Sequence, residues 1–251
     1  MTPWLITRAM QEATALVERL DRLGIAAAAL PCIERVPIEW MPDLAGWAGR
    51  QTIFMVTSPF GARRLLAYWT QLRGRGKIAA LTPSTSTVLE RANLTVDIAA
   101  TGGSLALANA VAQHLTQHKN NSPQAPDPVI VWLTSAAGLV EPEQEEAARV
   151  LRDVAELHRI VAYETRSPDG LGEQLRLWHG KRVGVVFFSP SACRSFVAVR
   201  NATGTGPLLE RIVCVGQSTL RSWSQLRSRG LPAAIYQADE EAFVAWAAVG
   251  R

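Results

Sequence analysis

Residues 52–64 read TIFMVTSPFGARR, and residues 182–194 read RVGVVFFSPSACR. Each is an apolar run that ends in Ser-Pro and continues through small residues to an arginine. Apolar residues at nearly every position suit a strand buried on both faces of a parallel sheet. A serine after such a strand can cap a helix through its hydroxyl, and proline fits the first helical position. Both stretches therefore predict a strand–turn–helix unit, with Ser58 and Ser189 as caps. Strand carboxyl ends in open α/β sheets are also where ligands bind, and helix N-termini favour anions.

The same alternation runs through the chain. Further strands are expected at 4–7 (WLIT), 26–30 (AAAAL), 77–82 (KIAALT), 95–99 (TVDIA), 129–134 (VIVWLT), 159–164 (RIVAYE), 211–215 (RIVCV) and 233–237 (AAIYQ). Helical spacing of apolar residues marks 9–23, with Gly24 placed to end the helix, and 143–157. Strand–helix–strand alternation predicts an α/β fold of parallel sheets flanked by helices. Three blocks recur in the same order in the two halves, so the chain reads as an internal duplication. Composition alone places a boundary in the polar stretch 116–128, TQHKNNSPQAPDP, which reads equally well as a long surface loop.

At 251 residues the chain is long enough for one large or two ordinary domains. Apolar residues make up 48% and charged residues 19%, which favours a buried core over disorder. The net charge of +4 is mild, and its 26 basic residues are dispersed apart from a knot at Arg73, Arg75 and Lys77. This permits an anionic ligand without the clustered footprint of a nucleic-acid binder. The three cysteines, Cys32, Cys193 and Cys214, lie far apart in apolar surroundings and read as reduced core residues. No signal peptide is visible at the N-terminus, and no apolar run approaches the roughly 20 residues of a membrane span. A soluble, cytoplasmic protein is expected.

Hydroxyl-rich turns follow other strands. LTPSTST at 81–87 and VGQSTLR at 215–221 place Ser84, Thr85, Ser218 and Thr219 where they can cap a helix or donate to a carboxylate, and Gly216 allows close backbone approach. TGGS at 101–104 is another amide-rich turn. Tyr163 closes a strand in RIVAYETRS as a neutral donor at pH 7. His114 and His118 sit four apart beside a polar stretch, with no third metal ligand near in sequence, and read as a solvated face. TGTG at 203–206 lacks the context of a dinucleotide fingerprint, and no P-loop, GxSxG or HExxH occurs.

Taken together, ITRAMQEATALVERLDRLGIAAAALP (6–31), IFMVTSPFGARRL (53–65), IAALTPSTSTVLERANL (78–94), AYETRS (162–167), VFFSPSACRSF (186–196) and VCVGQSTLRSWSQLRSRG (213–230) resemble the uroporphyrinogen-III synthase family over nearly the whole chain. The resemblance implies two similar α/β domains, 1–36 with 168–251 and 37–167, joined by a two-stranded connection with a cleft between them. In that arrangement 116–128 becomes a loop inside the second domain, and Ser58 and Ser189 face a shared cleft. The implied reaction cyclises hydroxymethylbilane, a small polycarboxylate, to uroporphyrinogen III without cofactor or metal; a monomer is expected. By the same resemblance Tyr163 is catalytic, and Thr7, Arg8, Ser58, Ser84, Thr85, Ser189, Ser191, Ser218 and Thr219 bind substrate. The chain departs from the family pattern at Ala9, at Thr82, and at the acidic stretch holding Glu141, Glu143, Glu145 and Glu146. Two other readings fit the same residues. One is a homologue with a different substrate or no activity. The other is a two-domain binding protein for an anionic small molecule, which would not need Tyr163.

Overall fold

The computed structural model describes residues 2–72, 74, 76–122, 124–227 and 231–249. Arg73 and Arg75 of the basic knot lie outside the described residues, as does Pro123 in the polar stretch. In chain order the elements are β1 (Trp4–Ile6), α1 (Met10–Arg22), β2 (Ala27–Ala29), β3 (Glu34–Pro37), β4 (Thr52–Val56), α2 (Pro59–Trp69) and β5 (Lys77–Leu81). Next come α3 (Ser86–Glu90), β6 (Ile98–Ala100), α4 (Ser104–Asn121), β7 (Val129–Ser135), a 3-10 turn (Ala137–Val140), α5 (Pro142–Arg152) and β8 (Glu156–Arg166). The chain ends with α6 (Leu171–Leu177), β9 (Arg182–Phe187), α7 (Pro190–Thr203), β10 (Leu208–Val215), α8 (Gln217–Leu226), β11 (Ala234–Gln237) and α9 (Glu240–Val249).

The elements form two compact units, residues 1–35 with 165–251 and residues 36–164. The first holds a five-stranded sheet in the order β11-β10-β9-β1-β2, parallel throughout. The second holds a six-stranded sheet in the order β3-β8-β7-β4-β5-β6, parallel from β8 to β6. Apart from β3, the orders correspond strand for strand: β8, β7, β4, β5, β6 in one unit against β2, β1, β9, β10, β11 in the other. The duplication read in the sequence is thus a duplication of topology. The first β–α–β of the chain does in its sheet what the last β–α–β of the second unit does in its own.

Packing follows from strand periodicity. In β4, Phe54 and Val56 face Leu65 and Tyr68 of α2, while Ile53 and Met55 face α4 and α5. In β9, Val183, Val185 and Phe187 face Cys193 and Phe196 of α7, while Val186 faces the α1 and α9 side. Covering both faces explains the unbroken apolar runs. All three cysteines are free and buried.

Helix ends obey local chemistry. Gly24 adopts φ +68 after α1, and the amides of Gly24 and Ile25 return to the carbonyls of Asp21 and Leu20. This paired bonding is the left-handed cap that glycine favours. Several expectations are corrected. The helix expected over 143–157 ends at Arg152, and Leu157 lies in β8, because residues from Glu156 pair with β7 from Val129 onward. The strand expected at 95–99 forms only at Ile98–Ala100, as Asp97 turns its carboxylate onto the Ile78 amide. The polar stretch 116–128 is helical through Asn121, since Leu115 and the residues before it anchor α4 in the core. The short β3 was not foreseen, because its half-buried ERVP carries no distinct pattern. His114 is half-buried against the Lys77 ammonium at 3.0 Å; burial and that charge lower its pKa.

Gly184 of β9 lies opposite Trp4 of β1. A Cβ at Gly184 would meet Trp4 ring carbons at 2.6 Å. Trp4 cannot retreat, being packed edge-on against Phe243 and Trp246 beneath the Arg211 guanidinium. Gly184→Ala should therefore destabilise the protein by about 1–3 kcal/mol, the cost of overpacking. A lowered urea midpoint, partly recovered by adding Trp4→Leu, checks this.

Candidate active site

In an open parallel sheet, the connections leave neighbouring strands toward opposite faces where the strand order reverses, and a crevice opens at the strand carboxyl ends. In residues 36–164 this point lies between β4 and β7. In the other unit it lies between β9 and β1. Ser58 follows β4 and Ser189 follows β9, so both Ser-Pro turns stand at such a point, each in its own sheet.

Both serines are caps, as expected. The Ser58 hydroxyl accepts from the Gly61 amide at 3.0 Å, and the Ser189 hydroxyl accepts from the Ala192 amide at 3.2 Å. Each proline occupies the start of its helix. Here the likeness stops. Ser58 Oγ also lies 2.8 Å from the phenol oxygen of Tyr163, in hydrogen-bond contact. Tyr163 is 8% exposed and packs its ring against Phe60, with centroids 5.0 Å apart.

The placement of Tyr163 has a backbone cause. Val161 pairs with Thr134 and Tyr163 pairs with Ser135, so the β7–β8 register shifts and Ala162 has no partner on β7. An extra residue of this kind bends a strand and re-aims the side chains that follow. The Tyr163 carbonyl then accepts from the Ala136 amide at 3.0 Å, which fixes the turn after β7.

The remaining candidates separate by what they touch. Ser84 is exposed beyond β5. Thr85 is buried, and its hydroxyl has no hydrogen-bond partner among the described residues. It precedes α3 without capping it, which corrects that expectation. Ser218 and Thr219 do not cap either. Gly216 takes that position at φ +84, so Ser218 stands exposed in the first turn of α8 and Thr219 is buried. Ser191, half-buried in the first turn of α7, accepts from the Arg194 guanidinium at 3.3 Å.

Thr7 and Arg8 follow β1. The buried Thr7 hydroxyl donates to the Val186 carbonyl at 2.8 Å and ties β1 to β9. Arg8 stacks over Phe188 and donates to Glu12 and Glu240. Burial opposes ionisation of Glu12, but the guanidiniums of Arg35 and Arg8 outweigh it and hold the carboxyl below its ordinary value. The Arg8 charge is thus already matched within its own unit.

The acidic stretch has internal partners. Glu143 accepts from the Ser104 amide at 2.8 Å, at the start of α4. The TGGS turn therefore serves a carboxylate of the chain itself, and Gly103, at φ +105, leaves the room that a Cβ would fill. Glu145 binds Arg152 and Arg159; the hydrogen bond from Arg152, with the charges of both guanidiniums, lowers its pKa. Sequence reasoning found Ser58 and Tyr163 separately but not their bond, and it missed Phe60, Gly61 and Ser135 around them. Among the described residues no cluster of His, Cys, Asp and Glu is placed to hold a metal, and no helix is long and apolar enough to cross a membrane.

A family model described as Uroporphyrinogen-III synthase HemD matches residues 14–243. Among solved structures, a triple mutant of uroporphyrinogen III synthase from the extremely thermophilic bacterium Thermus thermophilus is similar with a TM-score of 0.56 at 15% identity, covering 100% of this chain and 97% of that one. A second structure of the Thermus thermophilus enzyme aligns with a TM-score of 0.43 at 16% identity, covering 100% and 98%. At these identities the first likeness speaks for the fold alone. No curated protein matches the sequence significantly.

Ser58→Ala and Ser189→Ala should each cost about 1 kcal/mol of stability, the usual value of a serine cap. Chemical denaturation should show the larger shift for Ser58→Ala, which also strips a partner from the nearly buried Tyr163 phenol.

Proposed function

Since the chain belongs to the uroporphyrinogen-III synthase family, cyclising lyases of tetrapyrrole biosynthesis, we propose that Tyr163 is its catalytic acid and Ser58 the group that supports it. The reaction closes linear hydroxymethylbilane to uroporphyrinogen III, with loss of water and inversion of ring D. Its first demand is a proton on the departing hydroxyl. The 2.8 Å contact between Ser58 and Tyr163 carries the proposal. With the Gly61 amide donating to Ser58 Oγ, the serine O–H is free to donate to the phenol oxygen. The phenol O–H then points to substrate. As the Tyr163 proton shifts toward the leaving oxygen, the negative charge growing on the phenol is met by the serine O–H at the start of α2. Donors held in place before charge develops are the most effective kind of stabilisation. The pyrrole electron pair expels water and leaves an azafulvene electrophile. Attack by the substituted carbon of ring D gives the spiro intermediate.

The substrate's acetates and propionates call for donors. In this reading Thr7, Arg8, Ser84, Thr85, Ser189, Ser191, Ser218 and Thr219 are the binding set, and every one of them follows the carboxyl end of a strand. With Arg8 matched by Glu12 and Glu240, carboxylate binding near α7 and α8 rests on amides and hydroxyls, which suit anions at helix N-termini. The reading also takes residues 1–36 with 168–251 and 37–167 as its domains. It takes the protein as a cytoplasmic monomer that binds no nucleic acid, in keeping with its dispersed charge.

Freshly generated hydroxymethylbilane tests the proposal, with type I and type III products separated after oxidation. The protein should yield the type III isomer. Tyr163→Phe should keep the fold, by circular dichroism, and slow type III formation by about 10²–10⁴, the range for loss of a general acid. Spontaneous type I product alone from the unaltered protein would defeat the enzyme reading. An undiminished Tyr163→Phe would defeat the role given to the phenol.

A further inference from the structure

The register shift that presents Tyr163 needs a restraint, since Ala162 has no partner on β7. Its carbonyl is nonetheless taken twice. It accepts from the Ile38 amide at 2.9 Å and from Arg64 Nε at 3.2 Å. The same guanidinium donates through Nη2 to the Ile38 carbonyl at 3.0 Å and to Glu39 at 3.2 Å. Its side chain is only 12% exposed and lies over the Tyr68 ring, whose own O–H donates to Glu39.

We propose that Arg64 is a positioning residue for Tyr163, acting through the carbonyl of Ala162. The proposal rests on the reading of Tyr163 as the catalytic acid. Helix α2 holds β8 at two points. Ser58 at its cap bonds the phenol, and Arg64, six residues on, holds the carbonyl of the residue before Tyr163. Between these grips the phenol is fixed at both its tip and its root. Arginine suits the second task because its planar fork directs separate N–H groups to the Ala162 and Ile38 carbonyls, whereas a lysine ammonium is a single point of donation. The neighbouring Glu39 balances the charge. Small misplacements of a catalytic group cost rate rather than binding.

The test measures kcat and KM for type III formation in Arg64→Ala and Arg64→Lys, each in the native and the Tyr163→Phe background. In the native background Arg64→Ala should lower kcat roughly tenfold with KM nearly unchanged. Arg64→Lys should recover only part of the loss, and added guanidinium should restore rate to Arg64→Ala. In the Tyr163→Phe background, Arg64→Ala should make no further difference. An equal loss in both backgrounds, or a change confined to KM, would overturn the proposal and leave Arg64 a general brace. Should Arg64→Ala fail to fold, Arg64→Lys carries the same comparison between backgrounds. Full activity in Tyr163→Phe alone would instead remove the premise, a result distinct from any failure of Arg64.

Discussion

A parallel sheet covered on both faces leaves its polar chemistry nowhere to go but the strand ends. In β4 every residue from Ile53 to Val56 is buried, and the same holds for β9 from Val183 to Phe187. Ladder hydrogen bonds satisfy the backbone inside the sheet, and apolar side chains fill both layers. Hydroxyls, phenols and free amides therefore collect where a strand stops and a helix begins. Nine of the ten candidate residues stand at such places, in both units, and Tyr163 lies inside β8, which runs on to Arg166 rather than closing at the tyrosine.

Duplication supplied the turns, and divergence gave them different work. The Ser-Pro turns after β4 and β9 share extended cap backbones and the same hydroxyl cap bond. Among the described residues, the first has a phenol of its own unit in hydrogen-bond contact. In strand order, β8 corresponds to β2, yet β8 runs for 11 residues and β2 for three. The longer strand has room for a register shift and a tyrosine past it. Among the described residues of its own unit, Ser189 is given only the cap bond to the Ala192 amide.

Charge is handled by internal matching more than by excess. Arg8, Glu12, Arg35 and Glu240 form one network, and Glu145 joins Arg152 and Arg159 in another. The acids at 141–146 include Glu143 on the Ser104 amide at the start of α4 and Glu145 on two arginines. These groups are held by specific partners rather than by the net charge of the chain.

Local chemistry made much of this legible in the amino-acid order. Apolar runs specified strands, Ser-Pro and Gly24 specified helix ends, and the recurrence of blocks specified a repeated α/β unit, because each depends on residues within a turn or two of one another. The limits of α5 and β6 were misread, since a strand partner or a side chain such as Asp97 overrides helical or apolar spacing. The long-range contacts came from packing alone. Ser58 and Tyr163 are 105 positions apart, and Arg64 and Ala162 are 98. Their meeting depends on which strands are neighbours and on a one-residue shift of register, and no local spacing encodes either. Residue order alone put hydroxyls at strand ends. The packing of α2 against β8 decided that one serine would support a phenol and its counterpart would not.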